Sequence, residues 1–297
     1  MKKWLYKMYI NLLGAIAHLP FKALYFISDC MSFVVHYIIR YRLSLVRRHL
    51  LLVFPDMTIK ERLTIEKGFY HHLCDIIVET IKLLHITDAE LKEHINVKNV
   101  QLVDDIALQK RPVILLLGHF GNWEWVQEIL YRFKVMRIGG EIYKPLRDPV
   151  FNDVMHHIRQ RFSRNLLISQ NDAARTLIRL RQNDEPFCIG FISDQRPDRH
   201  HLRYWTKFLG QDTPFIVGGE HIGQKIGAEI LYMDIEKPSR GHYILTFRPI
   251  QPQSQAPDYP YTRSFLKMME TSIRRSPELW LWTHNRWKHK RNDSSIS

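Results

Sequence analysis

Apolar and polar positions change their spacing several times along the chain. Two apolar runs open it. Residues 8–19 follow Lys2, Lys3 and Lys7, and residues 23–39 contain Asp29 and His36 as their strongly polar members. Pro20 and Lys22 separate the runs, and Arg40, Arg42, Arg47 and Arg48 follow the second. Residues 47–55 form the end of a basic amphipathic helix stopped by Pro55. Thr58 is then placed as a helix cap, without a capping box, since the spacing from Thr58 to Arg62 does not make one. Apolar positions from Ile65 through Phe69, Leu73, Ile76, Ile77 and Ile81 to Leu84 keep helical spacing.

Beyond Pro112 the pattern switches. Val113 to Leu117 are all apolar, as in a strand buried on both faces of a parallel sheet. Gly118 ends that run, and a helical pattern begins near Asn122. Further strands are expected over residues 135–142, 165–168, 187–192, 230–235 and 243–247. Helices are expected over residues 149–162, 172–181, 218–226 and 261–275, the last broken at Pro277. Such alternation predicts an α/β protein with a mixed, largely parallel sheet flanked by helices.

The first forty residues are treated separately, as an N-terminal membrane-anchoring helical segment (1–40) ahead of one domain (41–297). No small-residue cleavage site follows cleanly, so a signal peptide is not favoured. The second run has about 17 residues, the lower limit of a membrane helix, and carries a charge. A helical hairpin or interfacial anchor therefore fits better than a single span, with Trp4, Tyr6, Tyr9, Phe21, Tyr25 and Phe26 suited to an interface. A buried pair of ordinary helices is the alternative.

Charge sharpens the picture. Forty-three Lys and Arg stand against 30 Asp and Glu, a formal net charge of +13 in 297 residues. That excess favours a polyanionic partner, either nucleic acid, an anionic membrane or an acidic protein. No helix-turn-helix, zinc-finger or RNP pattern accompanies it, which sets nucleic acid aside. The three cysteines, Cys30, Cys74 and Cys188, make neither a disulfide framework nor a CxxC zinc site, and fit a reducing compartment. The pairs His71-His72, His156-His157 and His200-His201 lack a clear metal spacing, so no metal is assigned.

Candidate chemistry concentrates in Gly118-His119-Phe120-Gly121-Asn122-Trp123-Glu124, which leaves a buried strand and opens a helix. His119 and Glu124 would not share a helical face, so they meet only if His119 lies on the turn and Glu124 in the first helical turn. A neutral imidazole can take the proton of a hydroxyl that attacks a thioester, and a carboxylate on its other nitrogen would fix the tautomer. A strand-end histidine and an N-terminal glutamate without catalytic roles would show the same spacing.

The segment from His119 to Glu124 resembles the signature of the bacterial lipid A biosynthesis acyltransferases, the late lauroyl and myristoyl transferases within the HxxxxD/E lysophospholipid acyltransferase superfamily. Other segments resemble that family in matching order: Leu50 to Pro55, Tyr143-Lys144-Pro145, Asp194-Gln195, Phe208-Leu209-Gly210 with Thr213-Pro214, and Pro277 to Lys288. Three departures are His49 for an asparagine, Lys144 for an arginine and Asn285 for a frequent arginine.

The resemblance implies a glycerol-phosphate-acyltransferase-like fold and transfer of an acyl chain from an acyl carrier protein thioester to a lipid A precursor. It places the enzyme on the cytoplasmic face of the cell inner membrane, without a cofactor. It assigns His119 as general base, Glu124 as its orienting carboxylate, and Lys144 to the oxyanion or a phosphate. Asp194 and Gln195 would shape the site, and Arg196, with Arg199 and Arg203 in the same loop, would bind an anionic lipid. Trp280, Trp282 and Trp287 are read as core or interface aromatics. Another glycolipid or lysophospholipid acceptor, or a non-catalytic membrane-binding scaffold, are the rival readings.

Overall fold

The computed structural model describes residues 2–146, 148–159, 165–199, 202–253 and 258–291. Helices α1 (Lys2–Ala17) and α2 (Phe21–Phe33) open the chain, and α2 runs on into a π-helical turn, Val34–Ile38. There follow α3 (Leu43–Val53), α4 (Ile59–Lys82), α5 (Asp88–His94), β1 (Ile95–Lys98), α6 (Val100–Leu108) and β2 (Val113–Leu117). A 3-10 helix, Trp123–Tyr131, leads to β3 (Ile138–Tyr143), α7 (Pro149–Arg159), β4 (Asn165–Ser169), α8 (Ala173–Gln182) and β5 (Phe187–Ile192). The chain ends with β6 (Trp205–Phe208), β7 (Gln211–Pro214), α9 (Gly218–Ile226), β8 (Glu229–Ser239), β9 (His242–Pro249) and α10 (Pro260–Arg275).

Seven strands form one sheet in the order β1-β9-β8-β2-β5-β3-β4, in which β8–β9 is the antiparallel pair and every other neighbour is parallel. The expected mixed, largely parallel sheet flanked by helices is therefore what the chain forms. All five residues of β2 are buried, because both faces are covered. Leu115 and Leu117 face the 3-10 helix across a cleft. On the other face Ile114 and Leu116 press against α9, whose Gly219 and Gly223 allow the helix to approach closely. Burial of each such side chain stabilises the fold by about 1.5–3 kcal/mol. Truncating Leu115 to alanine would cost roughly 2–5 kcal/mol.

Several expected elements shift. The strand expected from residue 135 begins at Ile138, and the helix expected over 149–162 is described as Pro149–Arg159, its last three expected positions lying outside the described residues. The Thr58 helix does have a capping box. Its partner is Glu61, whose carboxylate accepts from the Thr58 N–H at 2.7 Å while Thr58 Oγ1 accepts from the Glu61 N–H at 3.3 Å. A two-strand hairpin, β6–β7, turns through Leu209 and Gly210, both at positive φ (51° and 81°), the conformation of a two-residue hairpin turn.

Among the described residues no single helix is long and apolar enough to cross a membrane, although α1 and the α2–π segment together form one bent apolar pair, at 116°. The polar members of the second run are tied to the rest of the protein. Asp29 pairs with Arg240 at 2.7 Å, and His36 meets Glu66 at 2.8 Å and stacks on Tyr70. Tyr25 donates to buried Glu79 at 2.9 Å. Each helix still presents an apolar stripe to solvent, Trp4, Met8, Tyr9 and Leu12 on α1 and Phe26 and Phe33 on α2.

Candidate active site

Strands β2 and β5 end side by side, with Leu117 in register with Ile192. Each runs directly into a turn that carries a titratable side chain, His119 after β2 and Asp194 after β5. The turn is crowded at Gly118: a Cβ there would stand 2.3 Å from Met269 Cε, which would have to move, and 3.2 Å from Asp194 Cβ. Gly121 adopts φ +58°, the left-handed region that glycine enters without strain. Asn122 then caps the 3-10 helix, its side-chain oxygen accepting from the Trp125 N–H at 3.1 Å.

The carboxylate that meets the His119 ring is Asp194. Its Oδ1 lies 2.7 Å from His119 Nδ1, and its Oδ2 accepts from the Trp280 indole N–H at 2.9 Å. Asp194 is buried. Burial alone would raise its pKa, but the His119 imidazole, and hydrogen bonds from His119 and Trp280, overcome that and hold the carboxyl below its usual range. An ionised carboxylate only accepts, so Nδ1 of His119 carries a proton, which in a neutral ring leaves the lone pair on Nε2. Gln195 directs its side-chain amide at that Nε2, at 3.1 Å.

Glu124 faces elsewhere. Both its oxygens accept from the Arg159 guanidinium, at 2.8 and 3.0 Å, and Oε1 also accepts from the Trp123 indole at 3.2 Å. Arg159 bridges on to Glu141 at 3.2 Å. Among the described residues, then, the expected His119–Glu124 hydrogen bond gives way to His119–Asp194 and Glu124–Arg159. The physical reason is direction: Glu124 leaves the first turn of the 3-10 helix toward β3 and α7, whereas Asp194 leaves the strand adjacent to β2. Burial raises the Glu141 pKa to about 7, with Arg159 opposing the shift and Glu124 adding to it.

Lys144, expected at an oxyanion or phosphate, follows β3 and is exposed, paired with Asp198 at 3.2 Å. Arg196 donates from its backbone to His284 Nε2 at 3.3 Å and from its guanidinium to the Asn285 carbonyl at 3.0 Å. Arg199 and Arg203 are exposed. The pair His200-His201 lies outside the described residues, while His156 sets its ring edge-on to Tyr143 and His157 edge-on to Tyr6.

The C-terminal segment closes the back of the site. Gly121 donates to the Leu279 carbonyl at 3.0 Å, and Leu281 donates to the His119 carbonyl at 3.1 Å, so the segment clasps the His119 turn from both ends. His49 completes the clasp, its Nδ1 3.1 Å from the Trp282 carbonyl and its ring edge-on to Trp287. This imidazole–carboxylate pair is set beside segments that match one family along nearly the whole chain. A family model described as bacterial lipid A biosynthesis acyltransferase matches residues 1–289.

The chain belongs to that family.

It is similar to the lipid A biosynthesis lauroyltransferase of Escherichia coli K12, 21% identical over 287 residues that cover 96% of this chain and 92% of the relative. It is also similar to the lipid A biosynthesis palmitoleoyltransferase of the same organism and to a lipid A biosynthesis acyltransferase of Shigella flexneri, each 22% identical over 96% of this chain and 91% of the relative. The protein is thus an acyltransferase.

One further feature of this acyltransferase adjoins His119. A narrow, largely apolar cleft runs between the 3-10 helix and the sheet, lined by Leu115, Leu117, Val126, Leu130 and Ile192 among others. Trp123 lines it and meets the His119 ring edge-to-face at 5.2 Å. Two contributors to the site escape a reading of the sequence. Trp280 passes for a core aromatic, although it stands in the segment with the densest family likeness. Arg159 sits at the end of an amphipathic helix with no motif around it, and carried no signal.

Proposed function

We propose that this acyltransferase carries an acyl chain from an acyl carrier protein thioester to a hydroxyl of a lipid A precursor, the secondary acylation of lipopolysaccharide biosynthesis, at the cytoplasmic face of the inner membrane. One observation carries the chemistry: the His119 ring, held through Nδ1 by buried Asp194, keeps a basic Nε2 next to an apolar cleft. The acceptor hydroxyl donates to Nε2, where the Gln195 amide now stands, and gives up its proton as its oxygen bonds to the thioester carbonyl carbon. The tetrahedral intermediate collapses, the carbon–sulfur bond breaks, and the imidazolium returns the proton to the departing thiolate. Asp194 stabilises the imidazolium between these steps. No covalent enzyme intermediate and no cofactor enters the scheme.

The acyl chain occupies the cleft, where a Cβ at Gly190 would stand in ordinary contact, 3.6 Å from the Gly140 carbonyl oxygen and from Leu117 Cδ2. Glu124, locked to Arg159 and the Trp123 indole, serves by holding the cleft wall beside the base. Lys144, exposed at the rim, suits a phosphate of the acceptor better than an oxyanion. The net charge of +13 favours both an acidic carrier protein and an anionic lipid. The exposed apolar stripes of α1 and α2 and the exposed Arg40 and Arg48 support docking on an anionic membrane.

Mass spectrometry of lipid A from cells with and without the gene tests the acceptor. Loss of one secondary acyl chain is expected, and re-expression of the His119→Ala variant leaves it missing. Unchanged lipid A in the deletion strain would redirect the same chemistry to another glycolipid or a lysophospholipid.

A further inference from the structure

The cleft follows the strands away from His119, and strand register lays its sheet wall out in rows. Leu117 and Ile192 form the row beside the catalytic turns. Leu115, Gly190 and Glu141 form the next. Val113, Cys188, Gly139 and Asn165 form the third. At about 3.3 Å per residue, the first row lies about 13 Å from the third. The opposite wall is the 3-10 helix, with Trp123, Val126, Gln127, Ile129 and Leu130.

Three polar side chains interrupt this lining: Gln127, Asn165 and Glu141. Gln127 is 6% exposed, and its side-chain oxygen accepts from Asn165 Nδ2 at 2.7 Å. That bond fixes the amide, and leaves Nε2 as a buried donor with no hydrogen-bond partner among the described residues. Glu141 Oε1 is also buried and accepts no hydrogen bond, although it stands at ion-pair distance from Arg159. A long apolar ligand would leave both groups unsatisfied, which buried polar groups avoid. Both residues line the same cleft, and a hydroxyl placed between them would answer both, accepting from the amide N–H and donating to the carboxyl oxygen.

We propose that the acyl chain preferred by this enzyme carries a hydroxyl part-way along its length, received by Gln127 Nε2 and Glu141 Oε1. This rests on the acyl-transfer reading and names its donor more closely. Glu141 lies one row below the strand ends, about 7 Å from them. The hydroxyl therefore sits beyond the carbons adjoining the thioester carbonyl, which His119 serves. Gly190, in register with Glu141, places no side chain in the cleft at that depth.

The test is a competition with the purified full-length enzyme in detergent. Two acyl carrier protein thioesters of equal chain length, one unsubstituted and one hydroxylated in mid-chain, compete for the same lipid acceptor, and mass spectrometry reads the product ratio. The hydroxylated chain is expected to win by more than about tenfold, since a site with buried polar groups rejects the analogue that leaves them unpaired. The Gln127→Leu/Asn165→Leu variant, which removes the amide pair together, is expected to reverse the preference. A ratio taken within one preparation is unaffected by how much of the variant folds. Equal transfer by the wild type, as when a water fills the site, or a ratio unchanged in the variant, overturns the proposal while acyl transfer stands. Absence of transfer from either thioester overturns the acyl-transfer reading itself.

Discussion

Two carboxylates frame the catalytic turn, and they behave in opposite ways. Asp194, 75 residues from His119, grips its ring and is held ionised by that contact and by Trp280. Glu124, five residues from His119, turns its back on the ring and joins Arg159 and Glu141 in a buried charge cluster along the cleft wall. The first arrangement sets the protonation state of one nitrogen. The second fixes the shape and polarity of a wall. Nearness along the chain counts for less here than strand register, because neighbouring parallel strands deliver their C-terminal turns to one place.

Substitutions should separate the two sides in order of effect. His119→Ala removes the base and is expected to lower kcat by roughly 10³-fold or more with the melting temperature little changed. Asp194→Asn, which keeps shape but loses the charge on Nδ1, is expected to lower kcat by about 10²–10³-fold. Glu124→Gln should act mainly on stability, since Arg159 loses one of its two carboxylate partners and keeps Glu141, a cost of about 1–3 kcal/mol, and kcat in the folded fraction should stay within about tenfold of wild type. A loss of activity as large as that of Asp194→Asn, without loss of stability, would return Glu124 to direct catalysis. Trp280→Phe removes one hydrogen bond to Asp194 and should lower kcat less than about tenfold.

The sides also respond oppositely to pH. Asp194 is held below its ordinary range, so its contribution to stability is complete above the unfolded-state pKa and fades only as the solution becomes strongly acidic. Glu141 is raised from 4.5 to about 7, so the native protein binds that proton more tightly than the unfolded chain. Its effect is to lower stability as pH rises from 4.5 through 7. Glu79 and Glu128 are raised to about 7 as well, so Glu141→Gln should make the melting-temperature profile shallower over that window without flattening it, and leave the acid limb in place.

What the sequence revealed followed periodicity. Val113–Leu117, Phe187–Ile192 and Gly218–Ile226 were legible to the residue because an unbroken apolar run or a clean helical stripe has sharp edges. β1, with Asn96 and Lys98 on its exposed face, and the polar β6–β7 hairpin offered no such edge. The capping box at Thr58 pairs it with Glu61, three residues on, and not with Arg62. At the site, His119 and Asp194 were both legible as strand-end residues. Their pairing was not, because it depends on the β2–β5 register, which no local spacing encodes. Arg159 was invisible for the same reason, since its partners come from the 3-10 helix and β3.

The most direct test of which carboxylate holds the base is the proton on His119 Nδ1, seen by NMR of the histidine-labelled enzyme in detergent. A downfield, slowly exchanging resonance is expected in the wild type and in Glu124→Gln, and its loss in Asp194→Asn. Its survival in Asp194→Asn with loss in Glu124→Gln would contradict the assignment of Asp194 as the partner of His119.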